Sequence, residues 1–493
     1  MGHSKLSAAE LRSQLSHPVI DADGHLIETA PVFKRHLREY VRDIGGADLA
    51  ARIESVLDFD ETVLKPWGRM TPDEQRAIWA TRPPWWSHPA AASLDRATAH
   101  LPRLMYERLD DLGIDFAILY PSRTLTTTAI KEDEVRQVAC RALNAFNADV
   151  YAEFADRMTV VAQIPMHTPD EAIAALDHAA ELGFKAIMFN GLIHRPVGPV
   201  GRGDGSDAAP NWGSGSADRL DTLGLDSAYD YDSVWAHCLE LGLAPATHTP
   251  GQGWGSRRSV SSYMYNHIGS FGASMEAVCK SLFMGGVTRR FPGLSFALLE
   301  GGVGWACTLF SDIIGHWKKR NRDTIQLLDP AKLDIDRTMK LFAEYGGERF
   351  NADPDAVREF FSKLEPDPPE LDEWAACEID SVEDIANLFV PHFYFGCEAD
   401  DPSVSWAFND RVNPLGAKLR AMFSSDMGHW DVPDMTGILG EAYELVEKDL
   451  LTPDDFRDFT CTNPVRFYTS ANPGFFDGTR VAGQLGDVAD SRD

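Results

Sequence analysis

The chain of 493 residues contains no run of about 18 apolar residues, so no membrane-spanning helix is expected. Its first residues, Met1 to Ser7, carry no apolar signal core. Cysteine is sparse. The seven, at 140, 238, 279, 307, 377, 397 and 461, are dispersed and form no Cys-x-x-Cys pair. That argues against a disulfide framework and a cysteine-rich zinc site, and points to reduced thiols in a cytoplasmic protein. Positive charge is also scarce: 46 Lys and Arg stand against 75 Asp and Glu, a formal net charge of -29. Nucleic acid and anionic membrane surfaces are therefore not expected partners. Any anionic substrate must be met by local Arg, Lys or a metal.

What the chain does have is apolar strand segments alternating with helical ones. With 44% hydrophobic residues there is ample material for a core. Candidate strands are 18–22, 113–121, 158–165, 184–189, 244–247, 294–299, 392–396 and 421–424. Helices are expected at 134–154, 172–182, 233–241 and 274–288, with Thr168 or Asp170 capping the second. Eight strands alternating with helices predict an α/β fold, a TIM-type (β/α)8 barrel forming a single unit. Helical and loop insertions interrupt it at about 50–107, 197–224, 251–272 and 303–390. The 197–224 stretch, rich in Gly, Ser and Asp, reads as an exposed loop. The aromatic segment Trp254–Tyr265 reads as a lid or an oligomer contact.

In such a barrel the chemistry sits at the C-terminal ends of the strands. The first strand leads into Asp21-Ala22-Asp23-Gly24-His25. Strand residues two apart share a face, so Asp23 and His25 project together. A carboxylate oxygen beside an imidazole nitrogen is half of a divalent-metal site; the plain alternative is a polar turn after an edge strand. The remaining rim supplies Arg123, His167, Asn190, His248, Glu300, Glu398 and Asp426.

These segments resemble the amidohydrolase-related family (Amidohydrolase 2) that includes aminocarboxymuconate-semialdehyde, γ-resorcylate and 5-carboxyvanillate decarboxylases. The resemblance rests on residues 19–28, on His248, on Leu298-Leu299-Glu300-Gly301-Gly302-Val303-Gly304-Trp305, and on Ser424-Ser425-Asp426-Met427-Gly428-His429-Trp430-Asp431. The tail 459–467, with Asn463-Pro464, resembles the family's closing helix. The insertions at 197–224 and 303–390 do not match its smaller members. The resemblance implies Asp23, His25, His248 and Asp426 as ligands of Zn or Mn, and a homodimer. One departure matters: many decarboxylases of the family carry His at the end of strand six, where this chain has Glu300.

The reading that follows is a metal-dependent hydrolase acting through a metal-activated water on a cyclic or aromatic organic acid, amide or lactone. Asp426 takes the water's proton, and Glu300 or His429 passes it to the leaving group. Arg123 is a candidate clamp for a substrate carboxylate, with His167 and Asn190 as further substrate contacts. The alternatives are non-oxidative decarboxylation of an aromatic or muconate-type acid, and a barrel that binds without catalysis.

Overall fold

The computed structural model describes residues 6–58, 63–84, 91–196, 218–248, 257–363 and 372–486. Eight parallel strands form the expected barrel. They are β1 (Ile20–Leu26), β2 (Phe116–Pro121), β3 (Met158–Val160, resuming as Ala162–Ile164), β4 (Ala186–Phe189), β5 (Ala244–Thr247), β6 (Phe296–Leu298), β7 (Phe393–Glu398) and β8 (Arg420–Ser424). Pairing runs in chain order from β1 to β8. Within β3 the first half pairs with β2 and the second with β4; Val161 N bridges the break by donating to Leu119 O at 3.1 Å. The barrel closes where Asp426 N donates to Asp23 O (3.1 Å) and His25 N to Met427 O (3.0 Å).

Side-chain alternation divides the core in two. Ile20, Ala22, Phe116, Ile118, Tyr120, Ala244, Ala246 and Met422 fill the barrel interior, with Phe467, Tyr468, Phe475 and Phe476 of the tail packed against them. Leu26, Leu119, Ile187, Leu298 and Phe423 face outward into the helical layer. β1 changes parity on the way. Its register against β2 shifts between Asp21 and Gly24, as in a β-bulge. Below the shift the even residues Ile20 and Ala22 point inward; above it Leu26 points outward, so the odd positions Asp23 and His25 take the inner face. β1 thus runs four residues beyond the expected end at Ala22. Gly24 has no room for a side chain, since a Cβ there would lie 2.5 Å from Asp21 Oδ2 and 2.9 Å from Met427 Cε.

Helices follow the strands as the capping signals dictate. Of the two candidate caps, Thr168 does the work: its hydroxyl accepts from Glu171 N at 3.2 Å, ahead of the helix Pro169–Glu181. The described end of the 197–224 stretch departs from expectation. Asp218–Asp221 pairs antiparallel with Ile193–Pro196, and both Asp221 and Leu223 are buried. The reason is Asp221, whose carboxylate accepts from Arg195 Nε, Leu223 N, Ser227 Oγ and Ala228 N. Residues 197–217, Trp85, Trp86 and Trp254 lie outside the described residues. Within the 303–390 insertion the helices Ile335–Tyr345, Gly347–Phe350 and Pro354–Ser362 contain no buried residue. All seven cysteines are free thiols, six of them buried. No described helix is long and apolar enough to cross a membrane.

Candidate metal centre

Four side chains from three strand ends meet inside the barrel mouth. His25 Nε2 stands at their centre, 3.3 Å from His248 Nε2, 3.2 Å from Asp426 Oδ1 and 3.6 Å from Asp23 Oδ1. Each of these four residues is almost wholly shielded from solvent. The spacing is informative. Ligands about 2.0–2.1 Å from a tetrahedral zinc lie roughly 3.3 Å from one another. Two imidazole nitrogens facing each other at 3.3 Å gain from one hydrogen bond at most, whereas both lone pairs are satisfied by a shared cation. Asp23 Oδ1 has no hydrogen-bond partner among the described residues, although it is buried. A buried carboxylate in that state is costly unless a cation compensates it. Asp23, His25 and His248 form one group of donor atoms able to hold a divalent metal such as Zn or Mn, and His25, Glu300, Asp426 and His429 form another, with His25 common to both.

Two more groups complete the cluster. Glu300 Oε2 lies 2.8 Å from His248 Nε2, and His429 Nδ1 lies 2.6 Å from Asp426 Oδ1. The His429 ring stacks on His25, with centroids 3.6 Å apart. Both carboxylates stand on backbone in the left-handed region, at φ 56° for Glu300 and 49° for Asp426. For non-glycine residues that costs about 1 kcal/mol or more each, strain typical of functional positions.

Burial shifts Asp23, Glu300, Glu398, Asp426, His248 and His429 toward their neutral forms. It raises Asp23, Glu300 and Asp426 well above the usual carboxylate range, and the charge of Asp431 adds to the effect on the last two. Glu398 is pushed up to about 8, first by burial and then by Asp431 and Glu300. Burial lowers His248, against the pull of Asp23, and brings His429 down to about 3. Such a site holds too many carboxylates for its cations.

Asp21, to which the sequence reading gave no role, anchors the arrangement. It accepts from Ser425 N (2.9 Å), Ser425 Oγ (2.6 Å) and Asp23 N (3.2 Å), tying the end of β1 to the residue before Asp426. The acid-x-acid spacing was visible in the chain, but its cross-barrel partner was not.

A cavity of about 300 Å³ opens beside Glu300, lined by His267, Phe271, Glu398, Asp401 and Asp431 and by the Gly301–Gly302 backbone. Of these, the sequence reading used only Glu300 and placed Glu398 on the rim. His267 and Asp431 were in view, one in the aromatic insertion and one in the 424–431 run, but nothing in their spacing marked them. The three candidate substrate contacts fall elsewhere. His167 and Asn190 do come together, with His194 and Arg195, around a separate cavity of about 340 Å³. Arg123 is exposed, its backbone N donating to Glu28 Oε2 at 3.0 Å, and it borders a third, small cavity with Glu28 and Lys34.

The family model described as amidohydrolase matches residues 20–350, two thirds of the chain, which takes in β1 to β6 and leaves out β7 and β8. The chain belongs to the amidohydrolase family. Solved structures similar to this amidohydrolase include one from Mycobacterium avium subsp. paratuberculosis K-10, at 16% identity and TM-score 0.47, covering 92% of this chain and 100% of that one. Another is 5-carboxyvanillate decarboxylase from Sphingomonas paucimobilis, at 13% identity and TM-score 0.48, covering 92% and 98%. A third is dihydroxybenzoic acid decarboxylase from Polaromonas sp. JS666, solved with manganese and 2-nitroresorcinol, at 13% identity and TM-score 0.46, covering 92% and 97%. No curated protein matches the chain.

Proposed function

We propose that this enzyme of the amidohydrolase superfamily is a metal-dependent hydrolase of a cyclic or aromatic amide or lactone. The observation that carries the reading is the charge of the cavity. Its ionisable lining consists of Glu300, Glu398, Asp401, Asp431 and His267, with no Lys or Arg among the described residues. A free carboxylate entering such a cavity meets four acidic side chains and no Lys or Arg to pair with it, in a medium of reduced dielectric. A neutral amide or lactone needs no such partner. Phe271 gives the cavity an apolar wall, backed by the His267 and Trp430 rings, which suits a ring.

Asp23, His25, His248 and Asp426 would hold the ion, Zn or Mn. When bound, it supplies Lewis acidity to the carbonyl and makes water a competent nucleophile near neutral pH. Asp426, whose Oδ1 stands 3.2 Å from His25 Nε2, would accept the proton of the attacking water as a carboxylate. His429 Nδ1, 2.6 Å from Asp426 Oδ1, is the next group in line to pass that proton to the leaving nitrogen or oxygen. Glu300 bears on His248 and fixes its ring. Arg123, His167 and Asn190 stand outside this cavity and take no part in the step. We place the enzyme in the cytoplasm as a homodimer, on its free thiols and on the exposed apolar helices of the 335–362 region.

The test is a panel of cyclic amides and lactones assayed in 18O-water. Incorporation of one 18O into a ring-opened acid, abolished in Asp426→Asn with the fold intact, supports hydrolysis. Release of CO2 from an aromatic acid, with no 18O gained, would replace this reading by decarboxylation. Failure of the purified protein to bind any metal would favour a non-catalytic barrel.

A further inference from the structure

We infer that the ends of β2, β3 and β4 carry a binding site of their own for a small organic carboxylate, held by Arg195, His167 and Asn190. The cavity of about 340 Å³ draws Lys131 from the segment after β2, His167 from that after β3, and Asn190 to Arg195 from that after β4. Its ionisable lining is Lys131, His167, His194 and Arg195, with no Asp or Glu among the described residues. The cavity beside the metal cluster has the opposite character, with four acids and no Lys or Arg. In a chain with 46 Lys and Arg against 75 Asp and Glu, a lining free of acids needs a reason.

The donors are built into the fold. The Arg195 side chain is 13% exposed, and its guanidinium lies 5.1 Å from the centroid of the Tyr229 ring. Nε donates to Asp221 Oδ2 at 3.1 Å, one terminal nitrogen to His167 O at 2.7 Å and the other to Tyr231 Oη at 2.9 Å. Each terminal nitrogen has a second proton left over, and such a pair matches the two oxygens of a carboxylate. Asn190 is buried and uses Oδ1 to accept from Leu192 N at 3.0 Å, so its amide N–H groups are what it offers the cavity. His167 Nδ1 is shielded and has no hydrogen-bond partner among the described residues. That is costly unless a ligand in the cavity supplies one.

Charge and shape select the class of ligand. The neighbouring acids are already matched: Asp221 pairs with Arg195, and Asp133 and Glu171 pair with Arg136. The exposed Lys131 adds a positive charge to the lining. Burial, then Arg136 and Arg195, bring His167 down to about 4, so it contributes as a neutral ring. One carboxylate charge is thereby matched, and a phosphate dianion is not. The helix Pro169–Glu181, which starts just after His167, forms no phosphate nest, because Pro169 has no N–H and Glu171 N is taken by Thr168 Oγ1 at 3.2 Å. Leu192 and Ile193 give the cavity an apolar side for a hydrocarbon body behind the carboxylate.

The inference does not depend on a metal at the mouth. Benzoate, benzamide and inorganic phosphate, each titrated into the purified protein and into His248→Ala, test it by ligand-observed nuclear magnetic resonance. The expected result is saturable benzoate binding of equal affinity in both proteins, and none of benzamide at the same concentrations. In Asn190→Asp an oxygen still accepts from Leu192 N, but the added charge repels the probe, and the dissociation constant should rise about tenfold or more. Lys131→Glu, at an exposed position, should raise it about threefold with circular dichroism unchanged. Benzoate binding lost in His248→Ala and kept in Asn190→Asp would assign the anion to the metal cluster and overturn the site. Unchanged affinity in both charge variants, or no saturable benzoate binding at all, would also overturn it. Phosphate or benzamide bound as tightly as benzoate would overturn the carboxylate class.

Discussion

The barrel mouth and the helical arm at 335–362 invert the usual distribution of residues in opposite ways. In the mouth, Asp23, His25, His248 and Asp426 are charged or polar and almost fully buried. In the arm, Tyr345, Phe350 and Phe360 are apolar and more than 60% exposed. Both arrangements cost free energy for an isolated chain, and each is informative for that reason. The mouth is stabilised by a ligand that carries positive charge. For the arm, we propose that a second copy of the chain supplies the covering apolar surface. The mouth is also strained at Glu300 and Asp426, whereas the arm's helices are regular and capped by Asp334 and Asp353. The comparison therefore separates a region built for chemistry from one built for contact.

The largest expected effect is at the mouth. Asp426→Asn should reduce turnover by about 100- to 10,000-fold, the range for loss of a general base, with the urea midpoint unchanged or raised. Retained activity would remove Asp426 from the mechanism. Next is the bulge that turns Asp23 and His25 inward. Gly24→Ala forces a methyl group against Asp21 and Met427, and should destabilise the fold by about 1–3 kcal/mol in urea unfolding. A neutral result there would mean that β1 relaxes without disturbing the site.

A smaller effect concerns acid. Burial, helped by Arg12 and Arg457, lowers His17 to about 4, and its Nε2 lies 3.1 Å from Thr460 Oγ1. Between its folded value and the unfolded 6.5, the unfolded chain binds the extra proton. Stability is therefore full above about 6.5 and falls as pH drops toward 4. Partial exposure limits the loss to about 1 kcal/mol, and His17→Gln should flatten it in urea titrations between pH 7 and 5. The smallest effect on the monomer is at the arm. Leu341→Ser, Tyr345→Ser and Phe360→Ser together should shift elution from dimer to monomer, with stability changed by about 0.5 kcal/mol or less per site. An unchanged elution volume would break the contrast between the two regions.

Much of the mouth is legible in the chain because strand-end chemistry is local. The apolar run Ala244–Thr247 ends at His248, and Arg420–Ser424 stops just short of Asp426, so a period-two pattern locates both. The bulge in β1 is not legible, because it depends on how Asp21 meets Ser425 across the closed barrel. His267 and Asp431 escape for the same reason: the short helix Tyr263–His267 after β5 and the segment after β8 bring them together, and no spacing records that. Arg123 is the converse case: a cation after β2 suggests a carboxylate clamp, but its backbone N donates to the buried Glu28 and its side chain is exposed, away from the metal cluster. The 197–224 stretch reads as a loop by composition, yet one buried carboxylate, Asp221, orders its end.

The most direct test of the account is elemental analysis of the purified protein beside His248→Ala. The account predicts at least one Zn or Mn per chain, lost in the variant while circular dichroism stays the same. A metal-free protein, or equal metal in both, would contradict it.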